Sequence, residues 1–96
     1  MHYILFYDVV DDYLERRAPF RDAHLKLIRE AHARGEVVLA GALSDPADAA
    51  ILVFRGSSSA AAVRFAQNDP YVRNGVVKSW RVRNWNVVIG DDVQTS

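Results

Sequence analysis

Strand-like and helix-like segments alternate along this chain, and their order limits the folds that it can adopt. Segments rich in aromatic and β-branched residues, or formed by short apolar runs, predict four strands. These strands span residues 2–10, 36–43, 49–55 and 76–89. Apolar residues at helical spacing from Pro19 to Arg34 predict one helix. An alanine-rich stretch that Ser57 or Ser58 can cap predicts a second helix, which ends at about Asn68.

The resulting β-α-β-β-α-β order predicts a ferredoxin-like α+β fold. In that fold a four-stranded antiparallel sheet carries both helices on one face. The 96 residues suffice for one compact domain and are too few for two. We therefore expect a single domain over residues 1–90 and a flexible polar tail over residues 91–96.

The predicted strands are apolar on both faces, whereas a sheet with one solvated face alternates apolar and polar residues. Tyr3, Leu5 and Tyr7 share one face of the first strand, and Ile4 and Phe6 share the other. Two helices can cover only one of these faces. We therefore expect a homodimer or a higher homo-oligomer, in which a second copy covers the other face. The alternative is a monomer that exposes some apolar residues, which is common in small domains.

Charge and composition narrow the range of partners. Twelve basic and twelve acidic side chains give a formal net charge of zero, so binding to nucleic acid or to an anionic membrane is not expected. RNA-recognition domains share the predicted order of elements, but their RNP1 consensus is absent. No apolar run approaches the ~20 residues of a membrane span, and the start lacks a leader pattern. We expect a cytoplasmic protein without nucleic-acid or membrane partners.

His24 is the first candidate for acid–base chemistry. It lies four residues after Phe20 and four before Ile28, so it borders the apolar stripe of the first helix. Imidazole titrates near neutral pH and can act as a general acid or base. The structural alternative is a partly buried histidine that hydrogen-bonds the backbone. Arg21 and Arg17 precede it by one and two turns; they either bind the negative charge of a substrate or form a solvated helix face.

Asp69 is the second candidate. It precedes Pro70 where the second helix should end, and the negative end of the helix dipole disfavours a carboxylate there. An Asp-Pro turn is the local explanation. In the predicted topology, however, both helices pack on the same face, so the end of the second helix can approach the first. We expect Asp69 to accept a hydrogen bond from the His24 ring and to fix its tautomer, as the aspartate of a catalytic triad does.

The sequence carries no pattern for a metal, a cofactor or a covalent nucleophile. His2, His24 and His32 lack close metal-ligand spacing. There is no cysteine and therefore no thiolate chemistry. There is also no glycine-rich phosphate loop and no serine in a nucleophile-elbow pattern. We expect a protein without a metal ion or cofactor.

Four short motifs span most of the chain: RDAHL at 21–25, Gly35, LAGAL at 39–43 and DPYVRNGVV at 69–77. In combination they resemble the YCII-related (YciI-like) family. The resemblance implies a ferredoxin-like fold of the dimeric α+β barrel type and a His–Asp pair in an active-site pocket, here His24 and Asp69. Most members have no assigned substrate, and a few related enzymes act on chlorinated or hydroxylated aromatic compounds without a cofactor. The family often has a proline where this chain has Ala42, at a strand exit expected to form part of the pocket wall.

Two functions are compatible with these features. In the first, the protein is a cofactor-independent lyase or isomerase that moves a proton on a small anionic or aromatic metabolite. His24 is then the acid or base, Asp69 orients it, and Arg17 or Arg21 binds the negative charge of the substrate. In the second, a dimeric module binds a small metabolite without catalysis, and His24 only hydrogen-bonds to it. Because the sequence has no nucleophile or cofactor pattern typical of an enzyme, the non-catalytic binding function remains an alternative.

Overall fold

The elements observed follow the predicted order, with two short helices added. The structure is a computed structural model that describes residues 1–90, so the tail predicted over 91–96 lies outside the described residues. The strands are β1 (His2–Val9), β2 (Val37–Ala42), β3 (Ala49–Arg55) and β4 (Val77–Trp85). The helices are α1 (Tyr13–Arg16), α2 (Arg21–Ala33, preceded by a 3-10 turn over Ala18–Phe20), α3 (Ala60–Asn68) and α4 (Pro70–Arg73).

The four strands form one antiparallel sheet in the order β2-β3-β1-β4. β1 and β3 are central, and Leu5 of β1 is paired with Leu52 on one side and with Val82 on the other. Every second residue of β1 is buried, and these residues join Phe65 and Ala66 of α3 in one apolar core. The helices pack on this face of the sheet. The predicted ferredoxin-like α+β fold is therefore confirmed.

Two glycines end helices and turn the chain back into the sheet. Gly35 follows α2 with φ +80°; its N–H donates to the carbonyl of His32, and the N–H of Glu36 donates to that of Ala31, both at 2.9 Å. Gly75 follows α4 with φ +73° and takes part in the same pair of bonds to the last turn of its helix. This is the Schellman motif, in which glycine tolerates the left-handed conformation best.

β4 is shorter than predicted, because it ends at Trp85 and not at residue 89. Trp85 pairs with His2, the first residue of β1. β4 lies at the edge of the sheet and has β1 as its one neighbour. Residues 86–89 therefore have no strand to pair with.

The sheet face opposite the helices, here called the outer face, is partly apolar. Residues paired across antiparallel strands share a face, which places six apolar side chains on the outer face: Ile4, Phe6, Leu39, Ile51, Val53 and Trp85. Leu39 is 70% exposed and Trp85 is 46% exposed. The Arg81 guanidinium lies over the Phe6 ring at 4.6 Å and so covers part of the outer face. β1 and β3 therefore carry apolar side chains on both faces, as the sequence predicts. None of the helices within residues 1–90 has the length and hydropathy of a transmembrane helix.

We expect the protein to be a dimer or a larger oligomer at micromolar concentration, since Leu39 and Trp85 on the outer face are exposed within residues 1–90. Light scattering coupled to size-exclusion chromatography measures this directly. Ile51→Glu places a charge in the outer face and should shift the protein towards the monomer. Ala60→Glu, at the exposed start of α3, adds the same charge elsewhere and should not. A strictly monomeric wild-type protein would contradict the prediction.

Candidate functional site

Asp69 lies at the junction of two helices. α3 ends at Asn68, and α4 begins at Pro70, so Asp69 is both the residue after one helix and the N-cap of the next. Its backbone is extended (φ −70°, ψ 124°), as expected for a residue before proline. The carboxylate Oδ1 accepts a hydrogen bond from the backbone N–H of Tyr71 at 3.0 Å. The carboxylate is thus well placed, because it caps the start of a helix that the sequence analysis did not predict.

Three donors from three different elements converge on the Asp69 carboxylate. Besides the Tyr71 amide, the Tyr7 hydroxyl on β1 donates to Oδ2 at 2.8 Å. His24 Nδ1 on α2 lies 2.8 Å from Oδ1 and 2.9 Å from Oδ2. Asp69 itself is 0% exposed. A buried charge is tolerated when hydrogen bonds compensate it, and an ionised carboxylate is acceptor-only, which matches three donors.

His24 is held in one orientation. Its Nδ1 faces the acceptor-only carboxylate, so Nδ1 carries the hydrogen and Nε2 of the neutral ring has the free lone pair. Among the hydrogen bonds of residues 1–90, those of the His24 ring go to Asp69 alone. The Tyr71 ring stacks on the imidazole with centroids 3.7 Å apart and planes at 10°. Phe65 contacts the imidazole edge-to-face, with centroids 6.4 Å apart.

His24 opens onto a cavity of about 270 Å³, here called the His24 cavity. Its lining combines apolar side chains with two arginines and two tyrosines: Tyr13, Arg17, Arg21, His24, Leu25, Ile28, Ala40, Gly41, Ala42, Ala50, Leu52 and Tyr71. All four site residues predicted from the sequence therefore meet at one place. His24, Arg17 and Arg21 line the cavity, and Asp69 lies behind the imidazole without exposed surface.

Aromatic contacts connect the arginine side of the cavity to His24. The Arg17 guanidinium lies over the Tyr13 ring, 4.9 Å from its centroid, and donates to the Tyr13 hydroxyl at 3.3 Å. The Tyr13 and Tyr71 rings meet edge-to-face with centroids 6.0 Å apart. Tyr71 in turn stacks on the imidazole. A cationic group is thus linked to the His24 ring through two packed tyrosines.

Three tyrosines of this site are not among the site residues predicted from the sequence: Tyr7, Tyr13 and Tyr71. Burial raises the pKa of Tyr7, and the charge and hydrogen bond of Asp69 raise it further. Burial raises the pKa of Tyr71 as well, and Tyr13 raises it further, whereas the charges of Arg17 and Arg21 and a hydrogen-bonding contribution from Arg21 lower it. Both hydroxyls therefore keep their protons at neutral pH and remain donors. In the sequence, the one feature that could have indicated a tyrosine of the site is the position of Tyr71 directly after Asp69-Pro70.

A second cavity of the same volume lies between α2 and α3, where Arg34, Glu36 and Arg64 contribute to its lining. It has no histidine or tyrosine in its lining. Of these two cavities, the His24 cavity is the one that combines an imidazole with tyrosines. Within residues 1–90, no three His, Asp or Glu side chains are grouped as potential metal ligands.

Similarity to known proteins agrees with the observed order of helices and strands. A family model described as the YCII-related domain matches residues 1–86. The chain belongs to the YCII-related family. A comparison with curated protein sequences gives no match.

A solved structure shares the fold of this YCII-related protein. It is 5-chloro-2-hydroxyhydroquinone dehydrochlorinase (TftG) from Burkholderia phenoliruptrix AC1100, in complex with 2,5-dihydroxybenzoquinone. The TM-score is 0.74 at 18% sequence identity, and the match covers 90% of this chain and 94% of the dehydrochlorinase. At 18% sequence identity, this similarity shows a shared fold alone.

Tyr7→Phe tests whether the Asp69 carboxylate depends on its donors. The substitution removes one hydrogen bond from a buried charge, so we expect a loss of about 1–3 kcal/mol in the free energy of unfolding, measured by urea denaturation. Tyr3→Phe is the matched control, because Tyr3 lies on the same face of β1 and its hydroxyl donates to the Met1 thioether at the long distance of 3.7 Å. Equal losses in the free energy of unfolding for the two variants would show that the Tyr7–Asp69 hydrogen bond contributes no more stability than the Tyr3–Met1 contact.

Proposed function

We propose that the protein is a cofactor-independent enzyme of the lyase or isomerase type, in which His24 transfers a proton on a small metabolite in the His24 cavity. The observation that supports this most is the contact between the imidazole and a fully buried carboxylate. A purely structural histidine also needs a hydrogen-bond partner, but a carboxylate in addition stabilises the imidazolium that forms when the ring takes a proton. The pair supplies a base whose free nitrogen is available to a ligand.

In this mechanism Asp69 acts through the ring and does not touch the ligand. It holds Nδ1–H in place, so that Nε2 can take a proton from a ligand group within about 3 Å. The imidazolium that forms is stabilised by the neighbouring carboxylate. In an elimination the leaving group then departs with its electron pair, and in an isomerisation the ring returns the proton to another atom of the ligand.

The cavity suits a small molecule that is anionic or aromatic. Arg17 and Arg21 supply positive charge on one side, and Ile28, Ala50 and Leu52 supply apolar surface for a ring. At about 270 Å³ it is smaller than the pockets of about 300–1,000 Å³ that hold drug-sized ligands. The structural neighbour is a dehydrochlorinase crystallised with a dihydroxybenzoquinone, which supports a lyase that acts on a hydroxylated ring.

We further infer that the active form is a cytoplasmic homodimer. The apolar outer face supports self-association, because association would remove Leu39 and Trp85 from water. The His24 cavity lies on the other side of the sheet, next to the helices. Association through the outer face would therefore leave the cavity open to ligand.

Kinetics of substituted proteins test the mechanism once a substrate is found by screening hydroxylated and chlorinated aromatic acids and lactones. His24→Ala should lower kcat by about 10²–10⁴-fold. Asp69→Asn should also lower it, because the amide can present the wrong group to Nδ1. The double variant should lose little more than the worse single variant, since the two residues act in one step.

His32→Ala is the matched control for these kinetics. His32 lies on the same helix, and its ring hydrogen-bonds the backbone carbonyl of Val37 outside the His24 cavity. The control should retain turnover. Full turnover by His24→Ala would refute the mechanism. A non-catalytic binding module would instead show weaker ligand binding by His24→Ala and no turnover by the wild-type protein.

A further inference from the structure

The Tyr71 hydroxyl is a buried polar group that the proposed mechanism does not use. Its oxygen is covered and has no hydrogen-bond partner in the part of the chain that the structure describes. Tyr71 is 1% exposed, and it lines the His24 cavity. Most buried polar side-chain atoms are hydrogen-bonded, and an exception in a cavity wall calls for a functional explanation.

The position of Tyr71 relative to His24 suits contact with a single ligand. The two rings are stacked at 3.7 Å and nearly parallel, and both residues line the same cavity. The distance between the Tyr71 hydroxyl and the imidazole is therefore shorter than the length of one small molecule. Two polar atoms of one ligand can contact the hydroxyl and Nε2 together.

The surroundings of the hydroxyl favour negative charge. The Arg17 and Arg21 side chains line the cavity beside it, and both lower the pKa of Tyr71 against the larger effect of burial. The Arg21 side chain is exposed, and its interaction with the Tyr71 hydroxyl does not have the geometry of an ordinary hydrogen bond. A protonated hydroxyl next to two guanidinium groups is a donor suited to an anionic oxygen.

We propose that Tyr71 is a ligand-binding residue whose hydroxyl donates a hydrogen bond to an anionic oxygen of the molecule in the His24 cavity. Arg17 and Arg21 complete this oxyanion subsite, and His24 Nε2 contacts a second polar atom of the same molecule. The inference rests on the proposed function in one respect, the placement of the ligand in the His24 cavity. It does not require that the ligand be turned over.

Tyr71→Phe isolates the hydroxyl, because the phenyl ring preserves the stacking on His24 and the contact with Tyr13. The hydroxyl has no partner to lose within residues 1–90. Its removal should therefore leave the Tm unchanged or raise it. A ligand-binding role and a purely structural role consequently predict different results for binding.

The test uses two probes that differ in one oxygen, 4-nitrophenolate and nitrobenzene, in calorimetric titrations at mildly alkaline pH. Relative to wild type, Tyr71→Phe should bind 4-nitrophenolate about 10-fold to 100-fold more weakly, the range for a hydrogen bond to a charged group. Its affinity for nitrobenzene should be unchanged. Tyr3→Phe, a buried tyrosine that does not line the cavity, is the control and should bind both probes as the wild type does.

Three results would overturn the inference: no binding of 4-nitrophenolate by the wild-type protein, equal binding by wild type and Tyr71→Phe, or the same loss for both probes. Its failure is distinguishable from failure of the proposed function. Turnover that depends on His24, together with unchanged binding by Tyr71→Phe, refutes only the oxyanion subsite. Selective loss of 4-nitrophenolate binding in a protein without turnover refutes only the acid–base mechanism.

Discussion

The buried carboxylate of Asp69 is the interaction on which the rest of the site depends. A charge without exposed surface must be matched by donors, and here these come from β1, α2 and α4 as Tyr7, His24 and the Tyr71 amide. The three elements are far apart in the sequence, since Tyr7 and Asp69 are separated by 62 residues. The same carboxylate therefore joins the sheet to the helices and fixes the imidazole.

In the proposed mechanism, this arrangement orients His24 for proton transfer before any ligand arrives. The carboxylate sets the tautomer, the Tyr71 ring sets the plane of the imidazole, and His24 lines the cavity. Groups that are already oriented need no rearrangement during reaction, which is the advantage of a preorganised site. The Tyr71 hydroxyl has no hydrogen-bond partner within residues 1–90, and we expect it to lower the free energy of unfolding in the absence of a ligand, as is common where binding and stability compete.

Local patterns predicted the features that depend on local chemistry. The order of strands and helices along the chain, the apolar faces of β1 and the end of α2 at Gly35 follow from residue type and spacing. The His24–Asp69 contact followed from the predicted topology. The α4 helix was missed because four residues cannot show a helical period. The end of β4 at Trp85 depends on where β1 begins, which is not visible in β4 itself. Tyr7 resembles any inward-facing core residue, because its partner is distant in sequence.

The central claim is that Asp69 fixes the tautomer of His24, with the hydrogen on Nδ1 and the lone pair on Nε2. Long-range ¹H–¹⁵N NMR of the histidine side chains measures this directly in the neutral ring, with the His24 signals assigned from the His24→Ala spectrum. We expect a protonated Nδ1 and an unprotonated Nε2 in the wild-type protein, and a changed pattern in Asp69→Asn. A His24 ring protonated at Nε2, or averaging between tautomers in the wild-type protein, would contradict the claim.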